Sequence, residues 1–154
     1  ALAALKLPRA SRAVAVTLVI GAIMVPALWH PAPQQLEQSA NWLAFDEAEI
    51  AKALAKDEVI FVDVTAAWCL TCKANKARVL DRNPVADALQ ADGVTAMRGD
   101  WTQSNPAISS YLKANGRFGI PFNIVYGPGA LQGIALPEFL THDAVMQALD
   151  AARL

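Results

Sequence analysis

Cys69 and Cys72 are the only thiols in a chain of 154 residues, and they stand three apart in FVDVTAAWCLTCKANK, residues 61–76. A carboxylate, Asp63, precedes them by six positions inside the otherwise apolar run VIFVDV. Two sulfurs at this spacing could form a permanent bridge, supply half of a metal site, or open and close a disulfide as their chemistry. A permanent bridge over so few residues closes too small a loop to stabilise a fold much. Tetrahedral zinc wants four ligands, and the two histidines, His30 and His142, have no ligand spacing to the pair. A soft Cu(I) ion held by the two thiolates alone is the metal reading that survives. The setting favours the redox pair: an apolar strand, a short loop, then CLTC opening a helix.

At a helix start the unpaired backbone N–H groups and the positive end of the dipole stabilise an anion. The thiolate of Cys69 is therefore expected below the free value of about 8.5, near 7. Cys72 lies one turn further in and is expected to be the more buried. The mechanism that follows is attack by Cys69 on a partner disulfide, a mixed disulfide, and resolution by Cys72. Asp63 inside a strand is costly unless it has a task or a partner. One reading places it beneath Cys72 to take that thiol's proton; the other points it to solvent from a half-exposed strand. Leu70 and Thr71, between the cysteines, carry no cation to stabilise a thiolate further. A reductant is therefore expected rather than a strong oxidant.

The elements that must hold these groups can be read from pattern. Asp46 and Glu49 have capping-box spacing before a helix that runs to about Lys56. VIFVDV, 59–64, reads as a buried central strand. TCKANKARVL reads as a helix with Ala74, Ala77 and Leu80 along one side. Asn83-Pro84 predicts another helix, Asn as cap and Pro in the first turn, with Gly93 just past its end. VTAMRGD is a second strand; Asn105-Pro106 starts a further helix that Gly116 stops. PFNIVYG, 121–127, is a third strand, and a GPG turn leads to GIAL as a fourth. Thr141 caps a last helix to about Ala151, with His142 and Asp143 in its first turn. Strands alternating with helices, then a closing strand pair and a helix, imply an α/β fold with a mixed sheet and helices on both faces.

Net charge of −1 gives no basic footprint for phosphates, so no nucleic-acid partner is expected. Residues 13–29, AVAVTLVIGAIMVPALW, contain no charged side chain. Lys6, Arg9 and Arg12 precede them, and the next basic residue is Lys52. This predicts a transmembrane helix over 13–29, a basic cytoplasmic-side segment over 1–12, and a domain outside the cytoplasmic membrane. A cleavable signal peptide, with VPA at Val25–Ala27 as its site, gives the same topology; a buried core helix does not. Residues 30–41 read as a Pro- and Gln-rich linker and 42–154 as the folded domain. The chain opens ALAAL, with no initiating methionine, as a piece of a longer protein would.

VDVTAAWCLTCK resembles the active-site segment of the thioredoxin fold, and GIPF, 119–122, resembles the loop whose proline is cis in that fold. FVDVTAAWCLTCKANK, GDWT at 99–102, GRFGIPFNIVY and LPEFLT at 136–141 are similar to the C-terminal thioredoxin-like domain of membrane thiol:disulfide interchange proteins of the DsbD and ScsB type. The resemblance implies a thioredoxin-like fold preceded by a last transmembrane helix. It implies Cys69, Cys72 and Asp63 as catalytic residues. Substrate would be bound by Trp68, Leu70, Thr71, Ile120 and Pro121, the backbone of Ile120 pairing with an extended peptide. No cofactor is implied beyond the redox-active disulfide Cys69–Cys72. Electrons would come from a membrane-embedded donor domain. They would leave to oxidised periplasmic thiol proteins or to an N-terminal domain of the same protein, at the inner membrane of a bacterium. A single-helix-anchored reductant for cytochrome c maturation is the neighbouring alternative. Some relatives carry an acidic residue four positions after the second cysteine, where this chain has Lys76.

Overall fold

The structure, a computed structural model, describes residues 42–154; the predicted transmembrane helix and linker lie outside the described residues. The elements run β1 (Leu43–Ala44), α1 (Glu47–Leu54), β2 (Val59–Thr65), α2 (Leu70–Asn75), a π-helical segment (Lys76–Leu80), α3 (Val85–Ala88), β3 (Val94–Asp100), α4 (Pro106–Ala114), β4 (Phe122–Gly127), β5 (Ala130–Ala135) and α5 (His142–Arg153). The five strands lie in the order β1-β3-β2-β4-β5. β2 is parallel to β3 and antiparallel to β4, which makes it the centre of a mixed sheet. Among the described residues no helix is long and apolar enough to cross a membrane.

The two faces of the sheet bury separate cores, because successive side chains of a strand point to opposite sides. Val59 and Phe61 of β2, Ala96 of β3 and Val125 of β4 pack with Val79 and Leu80, α3 and α5. Ile60, Val62 and Val64 pack on the other side with Met97, Phe122, Ile124 and residues of α1 and α4. Helices therefore cover both faces, as the alternation of elements predicts. Most residues of β2 are fully buried, and each such Val, Ile or Phe contributes about 1.5–3 kcal/mol.

Local signals explain most of the boundaries. Asp46 accepts a hydrogen bond from the backbone N–H of Ala48 at 2.9 Å, and Thr141 from that of Ala144 at 3.1 Å. Asn105 accepts from Ala107 and Ile108, with Pro106 opening α4. Gly116, at φ +67°, closes that helix: its N–H donates to the carbonyl of Lys113, and that of Arg117 to Leu112.

Five expectations need correction. Glu49 does not complete a capping box, since its carboxylate pairs with Lys52. Asn83 does not cap a helix. The Asn83-Pro84 peptide is cis, Pro84 occupies the cap position, and the preceding turn has already engaged the carbonyl of Arg82 with the N–H of Ala86. Gly93 follows a run of turns rather than a helix end; its carbonyl accepts from Val59 where β2 and β3 begin to pair. The helix after the cysteines turns π-helical at Lys76, so Cys72, Asn75, Val79 and Leu80 face inward while Ala77 is exposed. The fourth strand begins three residues earlier than GIAL, immediately after the GPG turn.

Candidate functional site

β2 delivers the chain to the site and α2 carries it away. Cys69 occupies the cap position of α2 with extended backbone, and its Sγ accepts the backbone N–H of Cys72 at 3.1 Å. This is where a side-chain acceptor satisfies an otherwise orphaned helix N–H. Cys69 and Cys72 are joined as a disulfide, with their Cα atoms 5.3 Å apart. Both residues are buried, Cys69 at 6% and Cys72 at 4% exposure, so the expected contrast between an outer and an inner thiol is small. Ala66 and the half-buried Ile120 pack against the pair.

The segment before Cys69 is held from a neighbouring loop. The backbone N–H of Ala67 donates to Oγ1 of Thr102 at 2.8 Å, and the indole N–H of Trp68 donates to the Thr102 carbonyl at 3.2 Å. The Thr102 hydroxyl in turn donates to Asp100, and the N–H of Trp101 to the carbonyl of Thr65. The GDWT motif thus acts as a buttress for the redox loop.

Asp63 lies on the face of the sheet that the cysteine-bearing helix covers, since it shares strand parity with Phe61. It is 5% exposed, which removes the solvent-facing reading. In register it stands level with Arg98 on β3 and Asn123 on β4. Arg98 Nε donates to its Oδ2 at 2.9 Å, and Asn123 Nδ2 donates to its Oδ1 at 2.9 Å. The Arg98 guanidinium also lies 3.9 Å from the centre of the Trp42 ring, and its buried Nη2 has no other partner. A ring face accepts such a cation where no oxygen is at hand.

The Ile120-Pro121 peptide is cis, as the resemblance implies, and Pro121 is buried at the start of β4. Trp68 and Leu70 flank Cys69 at 59% and 79% exposure; Phe118, two residues before Ile120, is 84% exposed and Phe139 72%. Half-buried Thr71 follows Leu70 inside α2. Lys76 does not enter the cysteine cluster: its ammonium grips both oxygens of Asp81, at 2.8 and 2.6 Å. Among the described residues no group of three or more His, Cys, Asp or Glu side chains gathers in a metal-holding cluster.

Arg98, Asn123, Thr102 and Asn75 are the site residues that sequence reasoning missed. Asn123 carried the same signal as Asp63, a lone polar side chain in an apolar strand. Arg98 had none without knowledge of strand register, and Thr102 had only its place in the GDWT motif.

A family model described as thioredoxin-like matches residues 41–128. The chain is 32% identical over 83 residues to thiol:disulfide interchange protein DsbD 1 of Pseudomonas aeruginosa, a match that covers 54% of this chain and 14% of that protein. The oxidised C-terminal domain of DsbD from Neisseria meningitidis superposes with a TM-score of 0.57 at 24% identity, over 73% of this chain and 99% of that one. A thioredoxin from Thermus thermophilus does so at 0.53 and 18% identity, over 71% and 85%.

Proposed function

The chain belongs to the thioredoxin-like family, and on that premise we propose that it is a thiol–disulfide oxidoreductase domain that reduces disulfides of other proteins. The observation that carries this is the Cys72 N–H directed at the Sγ of Cys69. In the reduced state the same backbone group would favour a thiolate at Cys69 over one at Cys72. That thiolate attacks one sulfur of a partner disulfide and expels the other as a thiolate, which takes a proton. Cys72, its proton passing to Asp63, then attacks Cys69 Sγ and releases the second partner sulfur. Two electrons leave the pair, the partner disulfide becomes two thiols, and Cys69–Cys72 is left bonded as seen here. Trp68, Leu70, Thr71, Ile120 and Pro121 form the surface on which the partner chain rests, with the Ile120 backbone pairing to it.

A dithiol donor must then restore the pair. We assign that role to a membrane-embedded domain, the recipients being oxidised periplasmic proteins or an N-terminal domain of the same protein. The uncharged run 13–29 after Lys6, Arg9 and Arg12 supports anchorage in a bacterial inner membrane with the domain in the periplasm. The similarity to a thiol:disulfide interchange protein of Pseudomonas aeruginosa supports the same reading. A Cys72→Ala variant of the full chain, expressed in a bacterial envelope, tests the scheme: partners should accumulate as mixed disulfides on Cys69. Reduction that persists in this variant with nothing trapped would refute the assigned roles.

A further inference from the structure

Among the described residues three polar side chains are buried: Asp63, Asn75 and Asn123. The first and third meet each other across β2 and β4, but the mechanism makes no use of Asn75. It ends α2, three residues beyond Cys72 on the same inward side. Its Nδ2 donates to the carbonyl of Glu138 at 2.7 Å, and its Oδ1 accepts the N–H of Leu140 at 3.1 Å. Both ends of one amide are thus spent on one loop more than sixty residues away in sequence. The other end of that loop is tied to the site as well, since the N–H of Leu136 donates to the carbonyl of Asn123 at 2.9 Å.

The loop is an arch. Leu136 and Leu140 are buried feet in the core, and Pro137, Glu138 and Phe139 stand exposed between them. The leucine feet would hold the arch to the sheet without help. A buried amide adds little net stability, because each hydrogen bond replaces one to water; it does fix position, because it is satisfied in one geometry only. An apolar residue at 75 would pack the helix equally well and leave the arch free to shift.

We propose that Asn75 is a positioning residue for protein substrates, locking the arch to the redox helix so that Phe139 meets the partner polypeptide beside its disulfide. This rests on the disulfide-reductase reading above, and it names the substrate class: a disulfide carried in a polypeptide with an apolar side chain near it. A small disulfide does not reach the arch and is indifferent to it.

The full chain, reduced with dithiothreitol and freed of it, is mixed in single turnover with insulin or with oxidised glutathione. Phe139→Ala should raise the half-saturating insulin concentration about tenfold, the effect of one substantial contact residue, with the limiting rate unchanged. The rate with glutathione should stay within about twofold. Asn75→Ala should show the same selective loss, and Phe139→Ala added to it should cost little more, since coupled residues are not additive. Where Asn75→Ala loses a cooperative unfolding transition, Asn75→Leu takes its place. Equal losses on both substrates, no loss in either variant, or additive losses would overturn the proposal. A wild-type chain that reduces neither substrate would refute the parent reading instead.

Discussion

Replacing Arg98 with Met tests how the buried carboxylate is held. The Arg98–Asp63 contact is 2.9 Å, with the two side chains 21% and 7% exposed. An exposed ion pair contributes about 0–1 kcal/mol, whereas stripping one partner from a buried pair costs about 3–5 kcal/mol. The acid end is buried, the basic end is in partial contact with water, and Asn123 still bonds Oδ1, so the lower bound applies and is itself discounted to about 2 kcal/mol. Loss of the guanidinium from the Trp42 ring adds about 1 kcal/mol. The sum, about 3 kcal/mol, is a large share of the 5–15 kcal/mol typical of a domain. It corresponds to a fall in Tm of roughly 12 °C for a domain of this size.

Urea unfolding of wild type and Arg98→Met should therefore differ by about 3 kcal/mol. Asp63→Asn, which leaves the guanidinium stacked and partly hydrated, should cost about 1–2 kcal/mol. A gap between wild type and Arg98→Met below about 1 kcal/mol would show that Arg98 does not hold Asp63 as described.

Three further outcomes are expected. Asp63→Asn should slow resolution of a mixed disulfide by about a hundredfold, the lower range for a lost proton acceptor, and leave the first attack by Cys69 unchanged; stopped-flow of both steps separates them, and equal slowing of both would refute the role. Burial, and then the hydrogen bond with Tyr126, raise the Tyr111 hydroxyl far above its ordinary value, and burial raises Tyr126 as well. Both are raised when folded, so their stability is intact below about pH 10 and falls as pH climbs further; the Tyr111→Phe, Tyr126→Phe double variant should flatten that alkaline decline, and an unchanged slope would count against it. Gly127→Ala should destabilise by about 1–3 kcal/mol, because a Cβ there would collide with the backbone carbonyl of Ala152 on α5; an unaltered Tm would show that the closing helix yields freely.

Much of the fold was legible because its signals are local. The apolar run of β2, the Asn105-Pro106 start, the Gly116 stop and the Thr141 cap each depend on a few adjacent residues and stand where the pattern puts them. The errors arise where tertiary contacts override local preference. A two-residue β1 has no periodicity to detect, yet it pairs with β3 at Met97 and Arg98. The π-helical turn after Asn75 cannot be told from continued α-helix by spacing alone. At Asn83-Pro84 the residue types suit a helix start, but Arg82 had already begun the turn.

The site divides along the same line. Cys69, Cys72 and Asp63 announce themselves, because two thiols one turn apart and a carboxylate in an apolar strand are improbable without a task. What surrounds them is set by register. Arg98 sits in a strand whose partner cannot be read from its own sequence, and a slip of one residue would turn it to the opposite face. Given the observed register, one level across β3, β2 and β4 holds a cation, an anion and an amide in a row. A charge at position 63 alone would be a defect in the core; with neighbours on both sides it is a held group. The oddity visible in one strand was therefore a third of a cross-strand unit, and its meaning lay in the two strands that pair with it.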